Sequence, residues 1–140
     1  QKFGFTLNGS IEPKTGFSKI TLEKYLGLPT KSYTDLDDCT LGDYETNIFY
    51  NAAELVVHDV KKTSYVRKLT MINFSGFQVN GNQFSANTTV DVFLSKTIGI
   101  VSEYNPSIDT YYVNVPNIEG VYAFKFLNDK LWEVELIYFC

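Results

Sequence analysis

Apolar and polar residues alternate along most of this chain, and this period of two constrains its fold more than any other feature. Side chains of a β-strand point alternately to its two faces, so the alternation is typical of antiparallel strands that bury one face. Strands are therefore predicted over residues 2–7, 44–50, 53–60, 65–74, 77–79, 111–115, 121–127 and 131–139.

Residues 21–26 are predicted as the first of two short helices. Thr21 can cap the N-terminus, because a Thr hydroxyl accepts a hydrogen bond from a free backbone N–H of the first turn. Gly27 can end the helix, and Pro29 just beyond it forbids continuation.

Residues 88–98 are predicted as the second helix, with Thr88 and Asp91 as a capping pair and Gly99 as its end. In both helices the apolar residues recur at the three- and four-residue spacing of one face. We expect these faces to pack on the sheet through Leu22, Tyr25, Leu26, Val90, Phe93 and Leu94. The predicted fold is α+β, a mostly antiparallel sheet of about eight strands with two short helices, in a single compact domain over residues 1–140.

Two short patterns recur along the chain: residues 5–9 match 77–81, and residues 21–26 match 89–94. The matches predict a tandem duplication with repeat halves 1–74 and 75–140, each formed by a strand, a helix and about three further strands. The alternative is coincidence, because Asn-Gly turns and Thr-capped helices are common.

The net charge of -4 weighs against nucleic acid as a partner. Nucleic-acid binders neutralise phosphates with clustered Lys and Arg, and the strongest basic run here is only Lys61-Lys62 followed by Arg67-Lys68.

No apolar run reaches the ~20 residues that cross a bilayer, so no transmembrane segment is predicted. The spacing of the two cysteines and one histidine fits no metal site, and the chain contains no cofactor motif, so none of either is predicted.

No catalytic residues are predicted. His58 and Asp59 are adjacent in a predicted strand, so their side chains would point to opposite faces. Glu133 and Glu135 would share one face about 7 Å apart, a separation that glycosidases use between two carboxylates. Both alternate with apolar residues, which is typical of the exposed face of an ordinary strand.

An acidic segment lies between the first predicted helix and the strand that follows it. Its members are Tyr33, Asp35, Asp37, Asp38, Asp43, Tyr44 and Glu45. Exposed acids speed the encounter with a basic partner, and tyrosines supply contact area that becomes buried on binding. These residues are the predicted binding site for another protein that carries basic groups; the alternative is a solvated connection.

Cys39 and Cys140 can pair in an oxidising compartment, and the alternative is two unpaired thiols.

The sequence begins with Gln1 rather than Met, enters a strand pattern at once, and is rich in Asn, Tyr, Phe and Thr. These features favour an exported protein, periplasmic or extracellular.

The pattern Thr21-x-x-x-x-Leu26-Gly27-x-Pro29, followed by a polar segment and the strand at 44–50, resembles the opening of small bacterial envelope modules. BamE-type outer-membrane assembly lipoproteins are of this kind, and so is each half of the beta-lactamase inhibitory proteins; immunity-type proteins that neutralise toxins are also similar. The second half departs from the pattern, because Gly99 is not followed by a proline until Pro106. The resemblance implies a non-enzymatic binder or inhibitor and carries over no binding residue.

The expected function is therefore that of an exported, non-enzymatic protein-binding module, an inhibitor or immunity-type protein that acts by surface recognition. One alternative is a structural domain of a larger surface protein. Another is a small hydrolase or isomerase on an open α+β sheet, which a deep pocket with a perturbed carboxylate would favour.

Overall fold

The computed structural model describes residues 3–36, 43–58, 60, 62–115 and 120–138, and within them it confirms a mostly antiparallel α+β fold. These residues form twelve strands rather than about eight, and two helices. In chain order the elements are β1 (Phe3–Leu7), β2 (Ser10–Ile11), α1 (Lys19–Leu26), β3 (Lys31–Leu36), β4 (Tyr44–Phe49), β5 (Ala53–His58), β6 (Thr63–Thr70), β7 (Ser75–Val79), β8 (Asn82–Phe84), α2 (Val90–Lys96), β9 (Val101–Asn105), β10 (Thr110–Asn114), β11 (Gly120–Leu127) and β12 (Lys130–Tyr138).

The four strands absent from the prediction are β2, β3, β8 and β9, and each lies at the edge of a sheet. β2 and β8 are two and three residues long, too short for a period to be visible. β3 is exposed on both of its faces, so its sequence shows no apolar alternation. An edge strand without a buried face leaves little signal in the hydrophobic pattern.

The strands form two sheets. The small sheet has the order β2-β1-β7-β8, and the large sheet has the order β3-β4-β5-β6-β12-β11-β10-β9. β1 pairs with β7 over five residues, with Phe5 directly opposite Phe77. β6 and β12 join in the middle of the large sheet through three registered pairs among the described residues, Thr70 with Glu133, Leu69 with Val134 and Lys68 with Glu135.

The core lies between the small sheet and one face of the large sheet. The Phe5 and Phe77 rings of the small sheet contact Tyr122 of β11 at 5.8 and 4.6 Å between centroids. Phe93 of α2 contacts Phe124 of β11 at 4.8 Å. The small sheet and both helices therefore cover one face of the large sheet, and no described helix or strand covers the other.

The helices begin at caps other than those predicted. The hydroxyl of Ser18 accepts a hydrogen bond from the Thr21 N–H, and the hydroxyl of Thr89 accepts one from the Val92 N–H. Thr21 therefore lies inside α1 instead of capping it. The cap of the second helix is Thr89 rather than Thr88, and the helix runs from Val90 to Lys96, with Thr97 as its C-cap.

The predicted helix faces are confirmed in part. Leu22, Leu26 and Phe93 are buried in the core, and Tyr25 and Val90 pack against it. Leu94 is instead exposed, because it lies about 100° around α2 from Phe93, the residue that this helix buries.

Replacing Ser18 or Thr89 with alanine is expected to lower the free energy of unfolding by about 1 kcal/mol each, because each change leaves a backbone N–H of the first turn without its acceptor. Urea denaturation measures the change. Ser107→Ala, at an exposed position outside both helices, is the control and should stay within about 0.5 kcal/mol of the parent. Losses no larger than that of the control would contradict these caps.

Candidate protein-binding surface

Part of the predicted acidic site lies on the β3–β4 hairpin at one edge of the large sheet. Asp35 of β3 stands directly opposite Glu45 of β4, and Tyr33 stands opposite Asn47. Asp43 immediately precedes β4. Tyr33 and Asp35 therefore belong to a strand and not to a loop. Asp37, Asp38, Cys39 and Cys140 lie outside the described residues.

The structure brings Tyr33, Asp35 and Glu45 to one face of the hairpin and places Tyr44 on the other. Tyr44 pairs with Leu36, and directly opposite residues of antiparallel strands share a face. Because side chains alternate along a strand, Leu36 and Asp35 point to opposite sides. The two tyrosines predicted to flank the acids together thus lie on different faces of the sheet.

A row of directly opposite residues crosses all eight strands of the large sheet on its uncovered face, which we call the open face. From β3 to β9 the row is Lys31, Phe49, Glu54, Lys68, Glu135, Ala123, Tyr112 and Glu103. Tyr33, Asp35, Glu45, Asn47, Lys125 and Glu133 lie on the same face by the same register. The open face is thus mostly charged and aromatic, with the buried Ala123 between Glu135 and Tyr112.

One charge cluster on the open face is centred on Arg67. Its guanidinium donates to the Asn47 amide oxygen and to the Glu54 carboxylate, the latter at 2.7 Å. Lys68 lies 3.7 Å from the same carboxylate. Arg67 is a β-bulge residue, because Glu54 pairs with Lys68 and Leu55 already pairs with Val66. The bulge turns the guanidinium onto this face, where half-burial strengthens its hydrogen bonds.

A second charge cluster is centred on Lys125 of β11. Its ammonium donates to Glu133 and to Glu135 of β12, both at 2.7 Å. Burial alone would lower the pKa of Lys125, but the hydrogen bonds and charges of the two glutamates outweigh it and raise that pKa. The two carboxylates considered as a glycosidase pair therefore hold one ammonium between them.

Aromatic side chains lie beside these charges. Tyr33 stacks on Phe49 with 5.7 Å between ring centroids, and the ammonium of Lys31 lies 4.7 Å from the Phe49 centroid. Trp132 occupies another bulge of the large sheet, because Lys125 pairs with Glu133 and Phe126 already pairs with Leu131. Its side chain is 40% exposed.

His58 sits at the end of β5, opposite Glu45 and Thr63. Its ring contacts that of Tyr65 at 5.6 Å between centroids. Among the described residues, no group of three or more His, Cys, Asp and Glu side chains could hold a metal ion.

Glu12 is a buried acid that the sequence pattern did not indicate. Its carboxylate accepts a hydrogen bond of 2.8 Å from the Val66 N–H, and the Ser64 N–H donates to the Thr15 carbonyl at 3.3 Å. Residues 12–16 thus cover the part of β6 that lies beyond its pairing with β12. Burial raises the pKa of Glu12 to about 8, and the Val66 hydrogen bond only partly offsets this.

A cleft of about 670 Å³ lies between the β1–β2 hairpin and α1. Ile11 and Pro13 line it, but Glu12 between them does not, and Tyr25 and Lys24 of α1 form its other wall. The perturbed carboxylate and the cleft are therefore separate features, so the combination expected of a small hydrolase does not form around Glu12.

Neither described helix has the length and apolar character that crossing a bilayer requires. Comparisons with known proteins find no matching family, no matching curated protein and no matching solved structure. We therefore infer the function from the residues of the open face and of the β3–β4 hairpin.

Proposed function

We propose that this protein is a non-enzymatic binding module that recognises another protein through the open face and the β3–β4 hairpin. The observation that carries the proposal is that one face of an eight-stranded sheet is uncovered by any described element and displays ion-paired charges beside Tyr33, Phe49 and Tyr112. A solvated sheet face needs neither half-buried ion pairs nor aromatic rings near both of its ends.

The charge clusters of the open face are held in place before any partner arrives. Lys125 is fixed by two carboxylates and Arg67 by Asn47 and Glu54, so little side-chain freedom remains to be lost on binding. Preorganisation of this kind increases affinity because the ordering cost is met during folding. Tyr, Trp and Arg are also the residues most often found at the energetic centres of protein interfaces.

We propose a partner with basic groups at the hairpin end of this surface. Asp35 and Glu45 lie side by side across β3 and β4, and Asp37, Asp38 and Asp43 fall close to them in sequence. A basic side chain placed near Asp35 and Glu45 would interact with both carboxylates. Such charges raise the rate of encounter more than the final affinity.

We further propose that the chain arose by tandem duplication. Both halves have the element order strand, strand, helix and four strands. The N-caps Ser18 and Thr89 take the same place in the two halves, and Phe5 and Phe77 pair directly across β1 and β7. Bulges are kept as specific features within protein families. The bulge residues Arg67 and Trp132 directly precede Lys68 and Glu133, which stand at the two ends of the registered β6–β12 pairing, and this symmetry also supports common descent.

Export and an inhibitor or immunity-type role remain part of the proposal. They rest on the composition, on the resemblance of residues 21–29 to envelope modules, and on the suitability of a rigid sheet surface for blocking another protein.

Charge reversal at the hairpin tests the partner proposal. We expect Asp38→Lys/Asp43→Lys to slow association with a protein captured on the immobilised chain by about threefold or more, and to flatten the salt dependence of that rate. Surface plasmon resonance at several salt concentrations measures both. Glu23→Lys/Asp91→Lys is the matched control, because it changes the net charge equally at exposed positions of the two helices, outside the open face and the hairpin. Equal association rates for the two double variants would contradict a basic partner at the hairpin.

A further inference from the structure

The four sheet edges formed by the described residues differ in how they are protected against pairing with another strand. β2 and β8, at the ends of the small sheet, are two and three residues long. β9, at one end of the large sheet, is interrupted by a bulge where Tyr112 pairs with Glu103 and Val113 with Val101. Short length and bulges are the usual devices that keep edges from associating.

β3, at the other end of the large sheet, has none of these protections. It pairs with β4 in unbroken register over six residues, from Lys31 to Leu36, and all six are exposed. Its outer edge therefore offers six residues of regular strand backbone to another strand, within the part of the chain that the structure describes.

The side chains of β3 are complementary to a second copy of the same strand. In an antiparallel pair centred on Tyr33, Lys31 stands opposite Asp35 of the second copy, and Asp35 stands opposite its Lys31. Lys31, Tyr33 and Asp35 share the open face, so both ion pairs would flank a contact between the two Tyr33 rings. Charges of a single sign along an edge strand would repel a second copy of that strand. In this pairing, by contrast, Lys31 attracts Asp35 of the second copy, and Asp35 attracts its Lys31.

We propose that two copies of this chain associate through β3, edge to edge and antiparallel about Tyr33. The two-fold axis would run perpendicular to the sheet, because the paired residues Lys31 and Asp35 lie on the same face. The open faces of both copies would then form one surface on one side of the dimer. This contact is isologous and closes on itself, so it does not lead to fibres.

The dimer should be weak, because pairing along a single edge buries an area at the small end of specific interfaces. Sedimentation velocity over protein concentrations from about 10 μM to about 1 mM is expected to show a shift from monomer to dimer mass, the range in which interfaces of this size dissociate. A chain that stays monomeric throughout this range would overturn the proposal and leave the β3 edge to a strand of some other protein.

Charge reversal identifies the contact. Asp35→Lys would place its new lysine opposite Lys31 of the second copy, and Lys31→Glu would place its new glutamate opposite Asp35. Each single change should weaken self-association at least about tenfold, because two attractive pairs become repulsive. Circular dichroism and thermal unfolding confirm that each variant is folded.

An equimolar mixture of the two single variants should dimerise again, because every cross-strand pair in the mixed dimer is then of opposite sign. The double variant Lys31→Glu/Asp35→Lys should also dimerise by itself. Singles that dimerise as the parent does, or a mixture that stays monomeric, would overturn the proposed register. This result is independent of the partner experiment, whose variants leave Lys31 and Asp35 unchanged.

Discussion

Raising the pH from 5 to 8 is expected to lower the free energy of unfolding of this protein by about 2–4 kcal/mol, because Glu12 must lose its proton inside the fold. Burial raises the pKa of Glu12 in the folded chain to about 8, from an ordinary value of 4.5. Between these two values the folded chain holds a proton that the unfolded chain has lost. Stability from this group is therefore greatest below pH 4.5, falls as the pH rises, and levels off above 8.

The surroundings of Glu12 explain the size of the effect. Its carboxylate faces the Val66 N–H, and the phenols of Tyr122 and Tyr138 are close enough for its charge to raise their pKa values further, after burial. Gly16 holds the covering segment tightly on β6, since a Cβ at this position, where φ is +95°, would lie 2.6 Å from the Ser64 carbonyl oxygen. Burial and the Val66 hydrogen bond are the causes that set the pKa of Glu12, and no cationic side chain among the described residues is one of them.

Glu12→Gln tests the assignment, because the amide oxygen can still accept from the Val66 N–H and does not titrate. Urea denaturation at several pH values from 5 to 8.5 should show a nearly flat profile for this variant relative to the parent. At pH 8 the variant should be the more stable of the two. Glu103→Gln, at an exposed position, is the control and should keep the profile of the parent. Parallel profiles for Glu12→Gln and the parent would contradict the assignment.

The central strands could be predicted from the sequence because each buries one face. Tyr122, Phe124 and Phe126 of β11 are buried in the core, and these large aromatic residues stand at every second position of the sequence, although the smaller Val121 and Ala123 beside them are buried as well. The short connection between the predicted strands 121–127 and 131–139 is a turn, with positive φ at Asn128 and Asp129. A strand with a buried face shows a period-two apolar pattern in its sequence, whereas an exposed edge strand such as β3 does not.

The bulges set a limit to predicting which residues share a face. Strict alternation places Trp132 with Val134 on the core side of the last strand. The bulge at Trp132 shifts the phase, so Leu131 is 1% exposed and Trp132 is 40% exposed. The apolar pattern of one strand does not reveal this extra residue, which shows only in the pairing of β12 with β11.

The candidate surface could be predicted only in fragments. The acidic segment was visible from its composition, but the separation of Tyr33 from Tyr44 required the strand register. The burial of Glu12 could not be predicted from the sequence either, because it depends on Val66, 54 residues away along the chain. Contacts between residues so far apart in sequence are fixed by topology rather than by any local pattern.

Phe124→Ala is expected to lower the free energy of unfolding by about 3–5 kcal/mol, enough to leave much of the chain unfolded at moderate temperature. Phe124 is fully buried, and its ring lies 5.1 Å from Phe77 of the small sheet and 4.8 Å from Phe93 of α2. Truncation leaves a cavity where both covering layers meet the large sheet. The loss has two parts: the hydrophobic transfer free energy of the ring, and the van der Waals contacts that its neighbours lose when the cavity forms.

Two further variants separate this cavity effect from a general sensitivity of β11. Phe124→Leu keeps most of the apolar volume but lacks the edge-to-face ring contacts. Its free energy of unfolding should therefore lie between that of the parent and that of Phe124→Ala. Leu127→Ala, at the exposed end of the same strand, should change stability by less than about 0.5 kcal/mol. Urea denaturation at pH 5, where Glu12 is neutral, measures all three. Equal losses for Phe124→Ala and Leu127→Ala would mean that Phe124 does not join the two sheets and α2.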